Sequence, residues 1–369
     1  MKLEGLRVVD ASQFLPGPLL TLALADHGAE VTKIEPEGGE PGRRIGERIG
    51  AETVFFRNLN RGKTSVAVDL KTEAGRATLL ALVDQADVFI ESFRPGAMAR
   101  LGLDQQTLRA RNPRLVYCSI SAFGQTGAQA GRPAHDLALQ ALAGVTGLQR
   151  GADGQPVMPA VAIADVLSGL QGLAGVLMAL LRREKTGRGD AVDIAMLDSM
   201  VAALPNIVGP TLAEGRQPVP AHERTMGGSA FYRLYATADG GHIALAGQEP
   251  KFVHALLGAI GRPELAEPVL RGPGAHQADA IAALEAVFRG RTRAACEALL
   301  GSIDVCWGSV RTLPEACADP ELAARGMLLR DAGGGLQIGS PIRFADEPSS
   351  LNLRVPALGA PSSTSGDDR

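Results

Sequence analysis

The run LRVVD (Leu6–Asp10), PGP (Pro16–Pro18), LLTLALADH (Leu19–His27), Gly28 and AEVTKIE (Ala29–Glu35) decides the fold. Its first block is a short apolar strand, and the prolines and glycine read as a turn. Leu19–His27 is apolar enough for a buried helix, Gly28 stops it, and Ala29–Glu35 alternates as a second strand. Strand signals recur at Val66–Leu70, Val88–Glu91 and Leu115–Ile120, with helical segments at Glu73–Gln85 and Gln105–Arg111. Strands alternating with helices predict an α/β fold of Rossmann-like type, a parallel sheet with helices on both faces.

Two helices extend the pattern, Asp136–Gly147 after Pro133 and Ala164–Glu184 before Thr186-Gly187. A strand at Val192–Ala195 and a helix at Met196–Leu204 close it. Residues 206–225 are rich in Pro, Gly and polar residues and read as a linker. Phe231–Ala236 and His242–Ala246 around Asp239-Gly240-Gly241 predict a β-hairpin, with helices at Lys251–Gly261, Asp279–Phe288 and Arg293–Leu300. The expected organisation is a large domain over 1–205, completed by about 328–358, and a small α+β domain over 226–327. A disordered tail is expected over 359–369.

With 369 residues, the chain exceeds the roughly 250–300 at which one core stops growing, so two domains are expected. A net charge of −3 with no basic stripe argues against a nucleic-acid partner. The start, MKLEGLRVVD, carries charges within its apolar stretch and reads as a first strand rather than a signal peptide. Val161–Leu181 is interrupted by Asp165, Ser168 and glycines and reads as a buried helix, so no membrane partner is expected. Cys118, Cys296, Cys306 and Cys317 lack metal or redox spacing and are expected to be reduced core residues. The expected location is cytoplasmic.

Several motifs fail. Arg61-Gly62-Lys63-Thr64 imitates a phosphate-binding loop, but the glycine needed five residues before Gly62 is Arg57. No G-x-G-x-x-G follows the first strand, so the dinucleotide fingerprint is missing. Neither a G-x-S-x-G nucleophile elbow nor paired metal-ligand histidines occur. Asp165 near the start of an apolar helix reads most simply as a cap favoured by the helix dipole. His135 and Glu249, taken alone, read as a structural histidine and a loop acid.

Taken together, the blocks carry more. These are FRPGAMARLG (Phe93–Gly102), SAFGQTG (Ser121–Gly127), NRGKTSVAVDLK (Asn60–Lys71), KTGRG (Lys185–Gly189) and ATADG (Ala236–Gly240). They resemble the family III CoA-transferases and their relatives, the α-methylacyl-CoA racemases, from Leu6 to about Pro356. The resemblance implies a Rossmann-like large domain, a smaller domain and an interlocked homodimer. It places CoA contacts on Phe14, Leu15, Pro16, Lys71, Ser92, Phe93, Arg94, Ala97 and Arg100. Basic residues at the carboxyl ends of parallel strands suit the phosphates of CoA. No permanently bound cofactor and no metal is implied, since CoA arrives as part of the substrate.

Both branches of the family use the aspartate matching Asp165. In a transferase it attacks the thioester and passes CoA onward through an aspartyl-CoA thioester, with Gly227-Gly228 partly matching a glycine-rich covering loop. In a racemase, His135 and Asp165 exchange an α-proton across a planar enolate while Glu249 orients His135. The helix start at His135 would keep that imidazole neutral. Transferases more often carry a tyrosine at the position of His135, so the first expectation is a racemase acting on a 2-methylacyl-CoA-type thioester. Leu137-Ala138-Leu139 and Val166–Leu170 depart from the racemase pattern, which leaves the transferase as the alternative. A non-catalytic CoA-binding paralogue is the third reading.

Overall fold

The computed structural model describes residues 1–359 except Ala152 and Ser349. The expected tail from Ala360 lies outside the described residues. Contacts divide the chain into two compact units, Met1–Ala202 with the chain from Asp319 onward, and Ala203–Ala318.

The first unit begins with β1 (Arg7–Asp10), α1 (Pro16–Asp26) and β2 (Glu30–Glu35). A small antiparallel pair follows, β3 (Arg48–Ile49) with β4 (Glu52–Thr53), and then α2 (Val54–Asn60). Next come β5 (Thr64–Ala67), α3 (Glu73–Val83), β6 (Val88–Glu91), α4 (Ala97–Arg100), α5 (Gln105–Arg111) and β7 (Val116–Ser121). The unit continues through α6 (Asp136–Leu142), α7 (Ile163–Thr186), β8 (Ala191–Ala195) and α8 (Met196–Ala202). The six-stranded sheet runs β5-β2-β1-β6-β7-β8, and every pairing in it is parallel.

The two-residue period of the strands builds a core on each face. Val8, Ile90, Val116, Cys118 and Ile120 point to the side covered by α1 and α7. Val9, Phe89 and Tyr117 point to the other, with Leu79 and Val83 of α3 and Leu108 of α5. The strand order reverses direction between β1 and β6. In sheets of this kind the crevice beyond the carboxyl ends at that reversal is where ligands bind.

Some boundaries differ from expectation. Pro16-Gly17-Pro18 is the first turn of α1, because proline at the start of a helix lacks only a donor that has no intrahelical partner there. A Cβ on Gly17 would lie 2.2 Å from Ser12, so the corner requires glycine. The strand expected at Val66–Leu70 lies at Thr64–Ala67, where it pairs with Thr32–Glu35. α6 ends at Leu142, and the chain turns at Gly144, whose φ is +83°. Cys118 and Cys296 are buried as expected, whereas Cys306 and Cys317 are exposed.

α7 has 24 residues and is long and apolar enough to span a membrane by composition. Its buried face, with Ser168, Gly169, Gly172 and Val176, lies against the core. A Cβ on Gly169 would meet the Pro16 carbonyl at 2.6 Å, and one on Gly172 would meet Leu20 at 2.8 Å. These glycines let α7 lie close to α1, and that closeness fixes Asp165, one turn earlier, near the start of α1.

The second unit holds α9 (Gly209–Glu214) within the segment expected as a linker, then the hairpin β9 (Arg233–Ala236) and β10 (His242–Leu245). A third strand, β11 (Trp307–Ser309), adds to β10. Phe231, Tyr235, Val253, Leu256, Leu284 and Phe288 form its own core.

Candidate active site

A cavity of about 330 Å³ opens beyond the carboxyl ends of β1, β6 and β7. Phe14, Pro16, Ser92, Phe93, Arg94, His135 and Asp165 line it, so seven of the expected site residues meet there. Lys71 lines a second cavity of about 210 Å³ with Phe93, Pro36 and Leu101. Gln13 lines both. Leu15, Ala97 and Arg100 line neither.

Asp165 sits in the first turn of α7, but it is not the cap expected from its position. Asp136 takes that place. Its Oδ1 accepts the Ala164 N–H at 2.7 Å and the Asp165 N–H at 3.4 Å. Gln140 Nε2 donates to its other oxygen at 2.6 Å. The favourable end of the helix dipole is therefore already occupied by a carboxylate. Burial pushes the Asp165 carboxyl up to about 7, and the charge of Asp136 adds to the rise. A carboxyl with a raised pKa lining a cleft is a candidate functional group.

His135 is the residue before α6 and makes no side-chain cap. Its ring meets that of Phe14 edge-on, with centroids 5.8 Å apart. Arg94 and Arg132 bring positive charge to the cavity lining, and among the described residues neither forms an ion pair. Arg132 instead donates to Gln129 at 2.8 Å and stacks its guanidinium on Phe123. Buried Glu91 organises the loop after β6, because its Oε2 accepts the Phe93 N–H at 2.7 Å. Burial is the largest influence on Glu91 and lifts its carboxyl to about 7.

Sequence reasoning missed Gln13, Ser121 and Arg132. Ser121 ends β7, lines the cavity, and its buried hydroxyl has no hydrogen-bond partner among the described residues. A buried unpaired hydroxyl facing a cleft is set to donate to a ligand. The signal was its place at the carboxyl end of a central parallel strand.

Glu249, Gly227 and Gly228 belong to the second unit. Glu249 precedes α10 (Pro250–Ala259) and makes no side-chain cap. Gly227 has φ +98°, and a Cβ on Gly228 would fall 2.7 Å from the backbone at His222 and Glu223. Closure of their own loop thus already requires both glycines. Among the described residues no group of three or more His, Cys, Asp or Glu side chains is arranged to hold a metal.

Residues 3–362 match the sequence profile of CoA-transferase family III. The chain belongs to that family. It is 35% identical to the acetyl-CoA:oxalate CoA-transferase of Acetobacter aceti, over 94% of this chain and 90% of the relative. It is 33% identical to the succinyl-CoA:mesaconate CoA-transferase of Haloarcula marismortui, over 96% and 93%. Among solved structures it is similar to a CAIB/BAIF family protein from Brucella suis, with a TM-score of 0.83 and 34% identity over 97% and 96% of the two chains. It is also similar to an aspartate-to-alanine mutant of Rv3272 from Mycobacterium tuberculosis, with a TM-score of 0.85 and 33% identity over 96% of each chain. The names of these curated relatives favour the transferase expectation over the racemase one.

Proposed function

We propose that this family member moves CoA from an acyl-CoA to a small carboxylic acid, with Asp165 as the nucleophile. The observation that carries this reading is the half-buried Asp165 carboxyl, raised to about 7, on the wall of the cavity beyond β1, β6 and β7. An ionised carboxylate of raised pKa is a stronger nucleophile than an ordinary one, and at neutral pH about half of it is ionised.

The Asp165 oxygen attacks the thioester carbonyl carbon, the C–S bond breaks, and CoA thiolate leaves a mixed anhydride. The thiolate then attacks the aspartyl carbonyl carbon, releasing the donor acid and leaving an aspartyl-CoA thioester. The acceptor carboxylate attacks that thioester, displacing the thiolate and forming a second anhydride. Thiolate attack on the acceptor's carbonyl releases the new acyl-CoA and restores Asp165. Each tetrahedral centre carries an oxyanion, and the unpaired Ser121 hydroxyl is suited to donate to it. Arg94 and Arg132 suit the CoA phosphates and an anionic acceptor. With relatives named for oxalate and mesaconate, a small dicarboxylic acid is the proposed acceptor.

CoA enters and leaves as substrate, and no resident cofactor takes part in this scheme. Glu249 and the Gly227-Gly228 loop are proposed to cover the intermediate from a partner chain in an interlocked homodimer. An apolar face on α7, with Leu177, Met178 and Leu181 exposed, supports a second chain packing there. The test is CoA transfer from acetyl-CoA or succinyl-CoA to a panel of dicarboxylic acids, followed by chromatography. New acyl-CoA that disappears with Asp165→Ala supports the proposal. Deuterium entering the α-carbon of 2-methylacyl-CoA from heavy water, without transfer, supports the racemase instead.

A further inference from the structure

Phe14 is the only non-glycine residue with a positive φ among the described residues, at +62°. A side chain in that left-handed region costs free energy, so something must hold it there. The surroundings identify the holder. Glu40, 1% exposed, accepts the Phe14 N–H on Oε2 at 3.0 Å. Its other oxygen lies 3.3 Å from the ammonium of Lys33, which is wholly buried. Lys33 in turn donates to the Ser12 carbonyl at 3.0 Å. Asp10 accepts the Ser12 N–H at 3.0 Å, and Ser92 Oγ accepts the Gln13 N–H at 2.9 Å. Three consecutive backbone amides, at Ser12, Gln13 and Phe14, are thus each bound by a side-chain oxygen.

Phe14 also lines the cavity, together with Gln13 and Pro16 of the same corner. It is 37% exposed, lines the same cavity as Asp165, and meets the His135 ring edge-on. We propose that Glu40, clamped by Lys33, is a positioning residue that holds Phe14 in its left-handed conformation and so sets the wall of the reaction cavity. Among the described residues Glu40 pairs with Lys33 and the Phe14 N–H and forms no ion pair with Lys71 or Arg94. Its expected effect therefore runs through the position of Phe14 rather than through the charges offered to the CoA phosphates. This deepens the transferase reading and rests on it for its kinetic arm only.

The experiment compares the full-length protein with Glu40→Gln, Phe14→Gly and the double variant. Glutamine keeps an acceptor but loses the charge, and glycine adopts a positive φ without strain. With acetyl-CoA and oxalate, Glu40→Gln is expected to lower kcat roughly tenfold while the Kd for free CoA stays within about twofold. In the Phe14→Gly background the same change is expected to cost less than about twofold, because no strained residue remains to be held. Equal losses in both backgrounds would overturn the proposal, as would a loss confined to CoA binding.

A second arm needs no turnover. In protein labelled with [15N]phenylalanine, the Phe14 amide is expected to exchange with solvent deuterium at least tenfold faster in Glu40→Gln, with Phe56 and Phe89 unchanged. A uniform rise at all three amides marks general loosening and overturns the positioning role. So does a Phe14 amide that exchanges in the unaltered protein as fast as a free loop amide. An inactive wild-type protein whose Phe14 amide behaves as expected refutes the transferase reading and leaves the positioning role standing.

Discussion

Replacing Asp136 by asparagine tests how the structure tunes its nucleophile. Asn keeps an oxygen for the Ala164 N–H, now held at 2.7 Å, and removes the negative charge beside Asp165. Burial is the larger cause of the raised Asp165 carboxyl and Asp136 the smaller, so the pKa falls without returning to its ordinary value. Asp136 Oδ1 lies 3.4 Å from the Asp165 backbone nitrogen, which bounds the two charges to within about 8 Å of each other. At that limit, with an effective dielectric near 20, they interact by about 2 kcal/mol, or about 1.5 pH units. Solvent screening at the half-exposed Asp165 reduces this to about one unit. The ionised fraction at pH 6 then rises from about a tenth to about a half. The assay is kcat/KM from pH 5.5 to 9 with an acceptor acid ionised throughout. The acid limb is expected near pH 7 in the parent and about one unit lower in Asp136→Asn, with roughly fivefold higher kcat/KM at pH 6. The plateau above pH 8 falls, because a less basic carboxylate is a weaker nucleophile. Gln140 also loses its acceptor on Asp136, a cost of about 1 kcal/mol that thermal unfolding measures separately. A limb that stays near pH 7 refutes the electrostatic account of Asp165.

Asp165→Asn is expected to stabilise the fold. The folded carboxyl, near 7, holds its proton more tightly than the unfolded one, near 3.8. The parent therefore loses stability as pH rises through that window, and the loss is complete above pH 7. The variant's advantage in Tm should be absent near pH 3.5 and fully present at pH 8, and calorimetry at the two values decides. Ser121→Ala should lower kcat about 10- to 100-fold while CoA binding by calorimetric titration is kept; an unchanged kcat removes Ser121 from the mechanism. Gly169→Val forces a side chain onto the Pro16 carbonyl, 2.6 Å from the ideal Cβ. It should cost about 1–3 kcal/mol in urea unfolding and depress kcat, whereas an unaffected protein contradicts the close packing of α7 on α1.

The sheet was legible because each central strand is short, apolar and followed by a helix. Ile90 and Phe89 alternate between the two cores, a period written directly in the chain. The corner at Pro16–Pro18 was harder, since proline and glycine serve both turns and helix starts. At the site, Asp165 and His135 stood out by type and by resemblance, and they do line one cavity. The role of Asp136 did not show, because a carboxylate 29 positions before Asp165 reaches that helix only through tertiary packing. Ser121 and Gln13 were hidden for a similar reason. Serine and glutamine are common, and only the reversal of strand order between β1 and β6 makes their positions special. The racemase expectation rested on His135, yet an aspartate beside a thioester serves either chemistry, and the histidine alone does not choose.

The central claim is a covalent aspartyl-CoA thioester on Asp165. Incubating the protein with an acyl-CoA alone, quenching with hydroxylamine and mapping peptides by mass spectrometry tests it most directly. The account predicts a hydroxamate on Asp165 that is absent without acyl-CoA and suppressed when the acceptor acid is in excess. An unmodified Asp165 under conditions of measurable CoA transfer would contradict it.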